Sequence, residues 1–318
     1  MVRTRRMTLV SAILPTYNRA DYVSGAIDTV LKQSHDEIEV VVVDDGSTDD
    51  TTERLAAYED DDRVRVRHNE ENRGISASMN RAAELADGEF VCVLNDDDRW
   101  HEEKVEKQLA AFERANDEVG VVYTGGVVKQ GERVVRVYRP ERRGDIYPDV
   151  IARFGLHPHS SHMLRAECFE LGGFDSDFPR GVDWDHCIRL AQEYEFEYVD
   201  ERLVERIFHT DNISQQLTHG VEVNRMIWEK YREEIESHPD IERRLREKQC
   251  RAHARVALER GQRRRAFAYA RRAMGYERSA ESAFIMLFAL LGQRALGAAR
   301  RARDAVMNWR ATGSNTDG

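Results

Sequence analysis

Three short polar clusters stand out because each directly follows an apolar run. Asn95-Asp96-Asp97-Asp98 follows residues 89–94, Asp44-Asp45-Gly46-Ser47 follows 39–43, and Pro15-Thr16-Tyr17-Asn18 follows 9–14. Adjacent carboxylates repel unless a cation or hydrogen-bond donors compensate them. Hard oxygen ligands of this kind suit Mg²⁺ or Mn²⁺, which also bind phosphate oxygens and neutralise a departing diphosphate. A solvated acidic loop with an Asp helix cap would account for the same residues. An Asp such as Asp45 can accept from the N–H of a base or from a ribose hydroxyl. A tight turn before a helix is the plainer reading of that cluster. Tyr17 offers a ring on which a pyrimidine can stack, and a strand-to-helix turn is again the alternative.

The elements that must position these clusters alternate strand and helix. Apolar residues at helical spacing (Val23, Ile27, Val30, Leu31) predict a helix over 21–33. The β-branched run at 39–43 reads as a strand covered on both faces, as in a parallel sheet. Helices over 51–58 and 76–86 and strands over 63–67 and 89–94 continue the alternation. Such βα units predict an α/β fold with a mostly parallel, doubly wound sheet. Ligands bind such sheets outside the carboxyl ends of the strands, where all three polar clusters fall. Neither Gly-x-Gly-x-x-Gly nor a Walker A loop follows the first strand, which disfavours a dinucleotide or triphosphate fold.

From 101 to 215 the pattern is mixed. A helix is expected over 102–116, strands over 119–124, 126–130 and 133–138, a polar loop over 157–162, a helix over 184–193 and a strand over 203–208. The loop carries His157, His159 and His162, with no carboxylate at a convincing offset for a metal. It reads as acceptor-facing, with Ser160 and Ser161 available as donors. Beyond about 220 the pattern is helical, and residues 251–310 hold fourteen arginines against four carboxylates around the apolar stretch 284–291.

The formal net charge of −10 over 318 residues argues against nucleic acid as a partner. The carboxylate excess with only six lysines points to a salt-adapted cytoplasm. Cys92, Cys168, Cys187 and Cys250 are scattered, with no zinc spacing or disulfide framework, which fits a reducing compartment. The apolar run near the start is broken by Pro15 and is too short for a signal segment. No stretch approaches the roughly 20 apolar residues that span a bilayer.

Taken together, Pro15-Thr-Tyr-Asn18, Val41-Val-Val-Asp-Asp-Gly-Ser-Thr-Asp49, Asn72-Arg-Gly-x-Ser76 with Asn80, and Leu94-Asn-Asp-Asp-Asp-x-Trp100 resemble the family 2 glycosyltransferases of the GT-A fold. Gly172-Gly-Phe-Asp175 followed by Asp183-Trp-Asp185 resembles that family's acceptor-side motif, and His209-x-x-Asn-Ile-Ser214 its closing-loop motif. The likeness spans roughly 8–215. It implies a Rossmann-like, mostly parallel sheet with a C-terminal helical extension. The expected division is a catalytic domain over 1–219 (nucleotide-sugar half 8–100, acceptor half 101–219), a helical region over 220–311 and a disordered tail over 312–318.

The roles implied by the resemblance are specific. Pro15, Thr16 and Tyr17 contact the base, Asp45 accepts from its N–H, Arg73 adds a contact, and Asp96 lies near the ribose. Asp97 is the principal ligand of Mn²⁺ or Mg²⁺, with Asp98 and His209 as further candidates. Asp183 is the general base of an inverting transfer, and Asp185 either orients the acceptor or caps its helix. Two departures from the pattern are Asn95, where an Asp is usual, and Val182, where a Glu is usual. The expected donor is a nucleoside diphosphate sugar, with UDP favoured, and the acceptor a glycan or lipid-linked glycan. The expected setting is a salt-adapted archaeon's glycan assembly. A basic helical tail could meet the cytoplasmic face of a membrane, or pack as an ordinary domain with its arginines solvated. A catalytically degenerate nucleotide-sugar-binding scaffold is the rival expectation.

Overall fold

The computed structural model describes residues 8–178, 180–208 and 218–291. The chain divides into two compact units, Met1–His209 and Thr210–Gly318.

The first unit opens with β1 (Val10–Thr16), α1 (Val23–Leu31), β2 (Ile38–Asp44), α2 (Thr51–Ala56), β3 (Val64–His68), α3 (Ile75–Glu84) and β4 (Phe90–Val93). β1 pairs in parallel with both β2 and β4, and β2 with β3. Ala12, Leu14, Val40, Val42 and Cys92 pack in one core with Val23, Ile27 and Val30 of α1. Every residue of β1 is buried, which is why this strand reads as a continuous apolar run rather than an alternating one.

The remainder is mixed. β5 (Asp98–Trp100), α4 (Lys104–Arg114), β6 (Val119–Gln130), β7 (Arg133–Tyr138), β8 (Met163–Arg165), α5 (Val182–Leu190) and β9 (Glu195–Ile207) complete the unit. The sheet order is β3-β2-β1-β4-β8-β6-β9-β5, with β7 beside β6. β8 runs antiparallel to β4 and β6, β7 to β6, and β5 to β9, while β6 and β9 are parallel. The sheet is therefore parallel from β1 to β4 and mixed beyond them.

Two strands expected at 119–124 and 126–130 are one strand, β6. Gly125 and Gly126 do not end it but shift its register against β9. A Cβ on Gly125 would meet the Glu201 and Tyr138 carbonyls at 2.9 Å, so glycine lets neighbouring backbone close in without a break.

The second unit is helical among its described residues: α6 (His219–Lys230), α7 (Arg232–Ser237), α8 (Pro239–Glu259), α9 (Arg263–Tyr276) and α10 (Ala280–Leu291). Its core is small and alanine-rich, with Ala254, Ala257, Ala266 and Ala270 against Leu258, Ile285 and Phe288. The apolar stretch anticipated at 284–291 divides by face: Ile285, Phe288 and Ala289 are buried, whereas Phe284, Leu287, Leu290 and Leu291 are exposed. Among the described residues no helix is long and apolar enough to cross a membrane.

Candidate active site

Adjacent parallel strands bring the three polar clusters to one sheet edge, where the loops are tied together. The Asp45 N–H donates to the Thr16 carbonyl (2.9 Å), and the Leu94 N–H to the Ile13 carbonyl (3.0 Å). Asn18 takes the left-handed conformation (φ 52°), which Asn tolerates better than most residues. There its N–H donates to Ser47 Oγ (2.9 Å) and its Oδ1 accepts from the Thr48 N–H (2.8 Å). The Arg19 N–H donates to Thr51 Oγ1 (2.8 Å), and the Arg19 guanidinium reaches Asp96 Oδ1 at 3.8 Å. Pro15 and Thr16 are buried at the end of β1, while Tyr17 is 42% exposed and can offer a stacking face.

The two acids of the second cluster do different work. Asp44 is a turn-holding residue. It accepts from the Ser47 N–H (3.1 Å) and the Thr52 hydroxyl (3.2 Å), with His68 Nδ1 2.9 Å away. Asp45 Oδ1 accepts from Asn69 Nδ2 (2.7 Å) and the Arg73 N–H (2.9 Å), and Oδ2 from the Gly74 N–H (2.8 Å). Asp45 thus grips the loop carrying Asn72-Arg73-Gly74 and fixes where the exposed Arg73 side chain begins. Its Oδ2 retains acceptor capacity for one further donor.

The third cluster concentrates negative charge at the end of β4. Burial pushes the Asp96 carboxyl up to about 7, and Asp97 and Asp98 add to the effect against the opposing pull of Thr16 and Arg19. Burial, then the charge of Asp97, pushes Asp98 up to about 7 as well. Asp98 is fully buried at the start of β5; its Oδ2 accepts from Ser160 Oγ and from Asn95 Nδ2 (3.2 Å). Its Oδ1 is buried without a hydrogen-bond partner. Asn95 therefore has a positive use: its amide donates to Asp98, which an Asp at that position could not do, and it adds no fourth negative charge.

Among the described residues no three His, Cys, Asp or Glu side chains converge as a ready-made cation cage. His209, with the motif that follows it, lies outside the described residues. The chemistry of the acidic loop nevertheless fits a divalent cation. It offers hard oxygen donors, two carboxyls raised by burial and by the charge of Asp97, and one orphaned carboxylate oxygen. Mg²⁺ at phosphates commonly takes only one or two protein carboxylates.

Asp183 sits in the first turn of α5, where a carboxylate favours the helix dipole. Its Oδ1 accepts from the Trp184 N–H (2.9 Å), and its Oδ2 lies 4.0 Å from His157 Nδ1. Asp185 is fully buried and held by Arg189 Nε at 3.1 Å. The Gly-Gly-Phe-Asp turn is pinned by Asn80 of α3, which donates to the Phe174 carbonyl and accepts from the Phe174 N–H, both at 2.7 Å.

The loop over 157–162 differs from expectation. Ser160 and Ser161 are fully buried rather than offered to an acceptor. Ser160 Oγ bonds Asp98 and accepts from the Asn95 N–H (3.0 Å), and the Trp100 indole N–H donates to the Ser160 carbonyl (2.8 Å). Burial lowers His159, and takes His162 down to about 3, with Nε2 of His162 2.7 Å from the Leu156 carbonyl; both are neutral packing residues. This segment links the acidic loop, through Ser160, to Asp183, through His157. Only the short spacing of His157 and Ser160 in a polar loop hinted at that in the sequence.

Residues 11–165 match the family description "Glycosyl transferase family 2". A putative teichuronic acid biosynthesis glycosyltransferase, TuaG, of Bacillus subtilis (strain 168) is 46% identical over 102 residues, covering 32% of this chain and 40% of that protein. A chondroitin synthase of Pasteurella multocida is 30% identical over 234 residues, covering 70% of this chain and 23% of that protein. The chain thus spans two fifths or less of either relative. Among solved structures, S. aureus TarS 1–349 in complex with UDP-GlcNAc aligns with TM-score 0.60 at 18% identity, covering 88% of this chain and 91% of that one. The mannosyltransferase PcManGT from Pyrobaculum calidifontis, in complex with GDP-Man and Mn²⁺, aligns with TM-score 0.57 at 20% identity, covering 96% and 85%. The strand-end motifs, the sheet that gathers them and these likenesses agree: residues 11–165 carry the match to glycosyl transferase family 2, and the fold is that of the GT-A glycosyltransferases.

Proposed function

We propose that this protein is an inverting glycosyltransferase that moves a sugar from a UDP-linked donor to a glycan or polyprenyl-phosphate-linked acceptor, in surface polysaccharide or glycoprotein assembly. The observation that carries this reading is the tying of three strand-end loops into one edge, with the segment from His157 to Ser160 joining its acidic loop to the Asp183 carboxylate.

In this reading Tyr17 stacks on the base, Asp45 Oδ2 accepts from the base N–H, Arg73 adds a contact, and Asp96 meets the ribose. Asp97, with the orphaned oxygen of Asp98, would hold Mn²⁺ or Mg²⁺. When bound, such a cation neutralises the charge that develops on the diphosphate. Asp183 takes the proton of the acceptor hydroxyl as that oxygen attacks the anomeric carbon from the face opposite the diphosphate. The configuration inverts in one step, and the chain supplies positioning rather than a covalent nucleophile. Teichuronic acid and chondroitin, named for the relatives, support a polysaccharide context. UDP and UDP-GlcNAc in one structural neighbour support the donor class, and Mn²⁺ beside GDP-Man in another supports the metal. The exposed apolar face of α10, beside the exposed arginines of α9, supports contact with an anionic membrane surface where a lipid-linked acceptor resides. Co-sedimentation with anionic but not neutral vesicles checks that contact.

The decisive experiment is a donor screen by released nucleoside diphosphate in Mn²⁺, with polyprenyl-phosphate-linked acceptors, followed by Asp183→Asn. The variant is expected to lose transfer by about 10²–10⁴-fold and to bind UDP as wild type does. Full transfer by the variant removes Asp183 as the base, and UDP binding without turnover of any donor favours the scaffold reading.

A further inference from the structure

We propose that His157 is a positioning residue for Asp183, and that the segment from His157 to Ser160 is a strap that sets the base against the acidic loop. The inference rests on the assignment of Asp183 as general base.

One end of the strap is fixed by three hydrogen bonds, all through Ser160: to Asp98, from Asn95 and from Trp100. At the other end the His157 side chain is 41% exposed and that of Asp183 27%, so the pair sits where an acceptor hydroxyl can approach. The imidazole is walled in by aromatic rings, Phe154 at 4.6 Å and perpendicular, and Tyr138 at 5.6 Å. Phe154 in turn stacks on Trp184, the residue after Asp183, whose indole N–H donates to the Val150 carbonyl (2.9 Å). The ring and the helix turn that carries the base therefore share one packed cluster.

The chemistry at the contact is selective. Asp183 Oδ1 is engaged by the Trp184 N–H, so Oδ2 is the oxygen that faces His157. A separation of 4.0 Å is an electrostatic contact rather than a hydrogen bond. It biases the orientation of the carboxylate without occupying the lone pairs that must accept the acceptor's proton. Val182, where a second carboxylate is usual, is buried and apolar. His159 and His162 are buried and neutral, which leaves His157 as the exposed imidazole of this cluster.

The two ends of the strap predict separable kinetic effects. Misplacing a catalytic group by about an ångström costs on the order of 10²-fold. His157→Ala should lower kcat roughly ten- to a hundredfold with the donor KM within about twofold. His157→Phe keeps a ring against Phe154 and Tyr138 but removes the nitrogens. It should stay folded and lose kcat to the same degree, whereas His157→Asn should recover several-fold over His157→Ala. Ser160→Ala should act instead on the donor KM and on the Mn²⁺ requirement. The readout is steady-state UDP release with the donor and acceptor that wild type turns over, with UDP binding measured alongside. An unchanged kcat in His157→Phe, a change confined to the donor KM, or no recovery in His157→Asn overturns the proposal. Asp183→Asn run in parallel separates the two failures: an active Asp183→Asn sinks the base assignment, and an inactive one with fully active His157→Phe sinks only the strap.

Discussion

A buried carboxylate of the helical unit and the acidic loop of the first unit are treated in opposite ways. In the helical unit Glu247, 7% exposed on α8, is surrounded by donors: Arg251 Nε at 3.0 Å, Ser279 Oγ at 3.1 Å and Ser282 Oγ at 3.2 Å. Arg251 and Arg255 also reach Glu281, so α8 and α10 are joined by a closed network of charge. At the sheet edge of the first unit the buried Asp98 and the partly buried Asp96 flank Asp97, with one oxygen of Asp98 lacking any donor. A satisfied buried acid holds a fold together. A frustrated one, kept at some cost in stability, marks a place completed by something outside the chain.

Substitutions should carry opposite signs in the two regions. Glu247→Ala leaves Arg251 with one carboxylate fewer and strands two serine hydroxyls. It is expected to destabilise the helical unit by about 1–3 kcal/mol in denaturant unfolding, with UDP binding by the first unit unchanged. A fall in UDP binding would break the comparison.

Asp96→Asn should do the reverse, stabilising the metal-free protein at pH 8 by on the order of 1–3 kcal/mol. The sign follows from linkage. The folded value of Asp96, about 7, lies above the ordinary 3.8, so its protonated form is the one burial favours. Wild-type stability from this group is fully present below 3.8 and is lost as pH rises through about 7. The advantage of the variant is therefore present above pH 7 and vanishes towards pH 4. Thermal unfolding across that range checks it, and a variant less stable than wild type at pH 8 would show that the acid is already compensated. The smallest expected effect is that of Tyr17→Ala, a few-fold weakening of UDP binding from about 0.5–1.5 kcal/mol of lost stacking, measured by calorimetry.

How much of this could be read from the sequence follows from burial and distance along the chain. β1, β2 and β4 are covered on both faces and announce themselves as apolar runs, so the edge they build was legible, as were Tyr17, Asp45 and Asp96–Asp98 upon it. β5 and β8 are three residues each, too short for any periodicity. The first half of β9, Glu-Phe-Glu-Tyr-Val-Asp-Glu-Arg, is half-exposed and charged, and only its apolar end reads as a strand. Asp183 became a candidate only through family resemblance, because one acid in a helix's first turn is unremarkable by itself. Ser160 meets Asp98 across 62 residues, and nothing local distinguishes that serine from any surface hydroxyl. The tail was legible as helical, but the face on which its apolar residues would be exposed was not.

The central claim is that the clustered acids at the sheet edge take up a cation together with a diphosphate. Calorimetric titration of UDP into wild type and Asp97→Asn, with and without Mn²⁺, tests it most directly. The account predicts that Mn²⁺ tightens UDP binding to wild type by about tenfold or more and has little effect on the variant. Equal enhancement by Mn²⁺ in both proteins would contradict it.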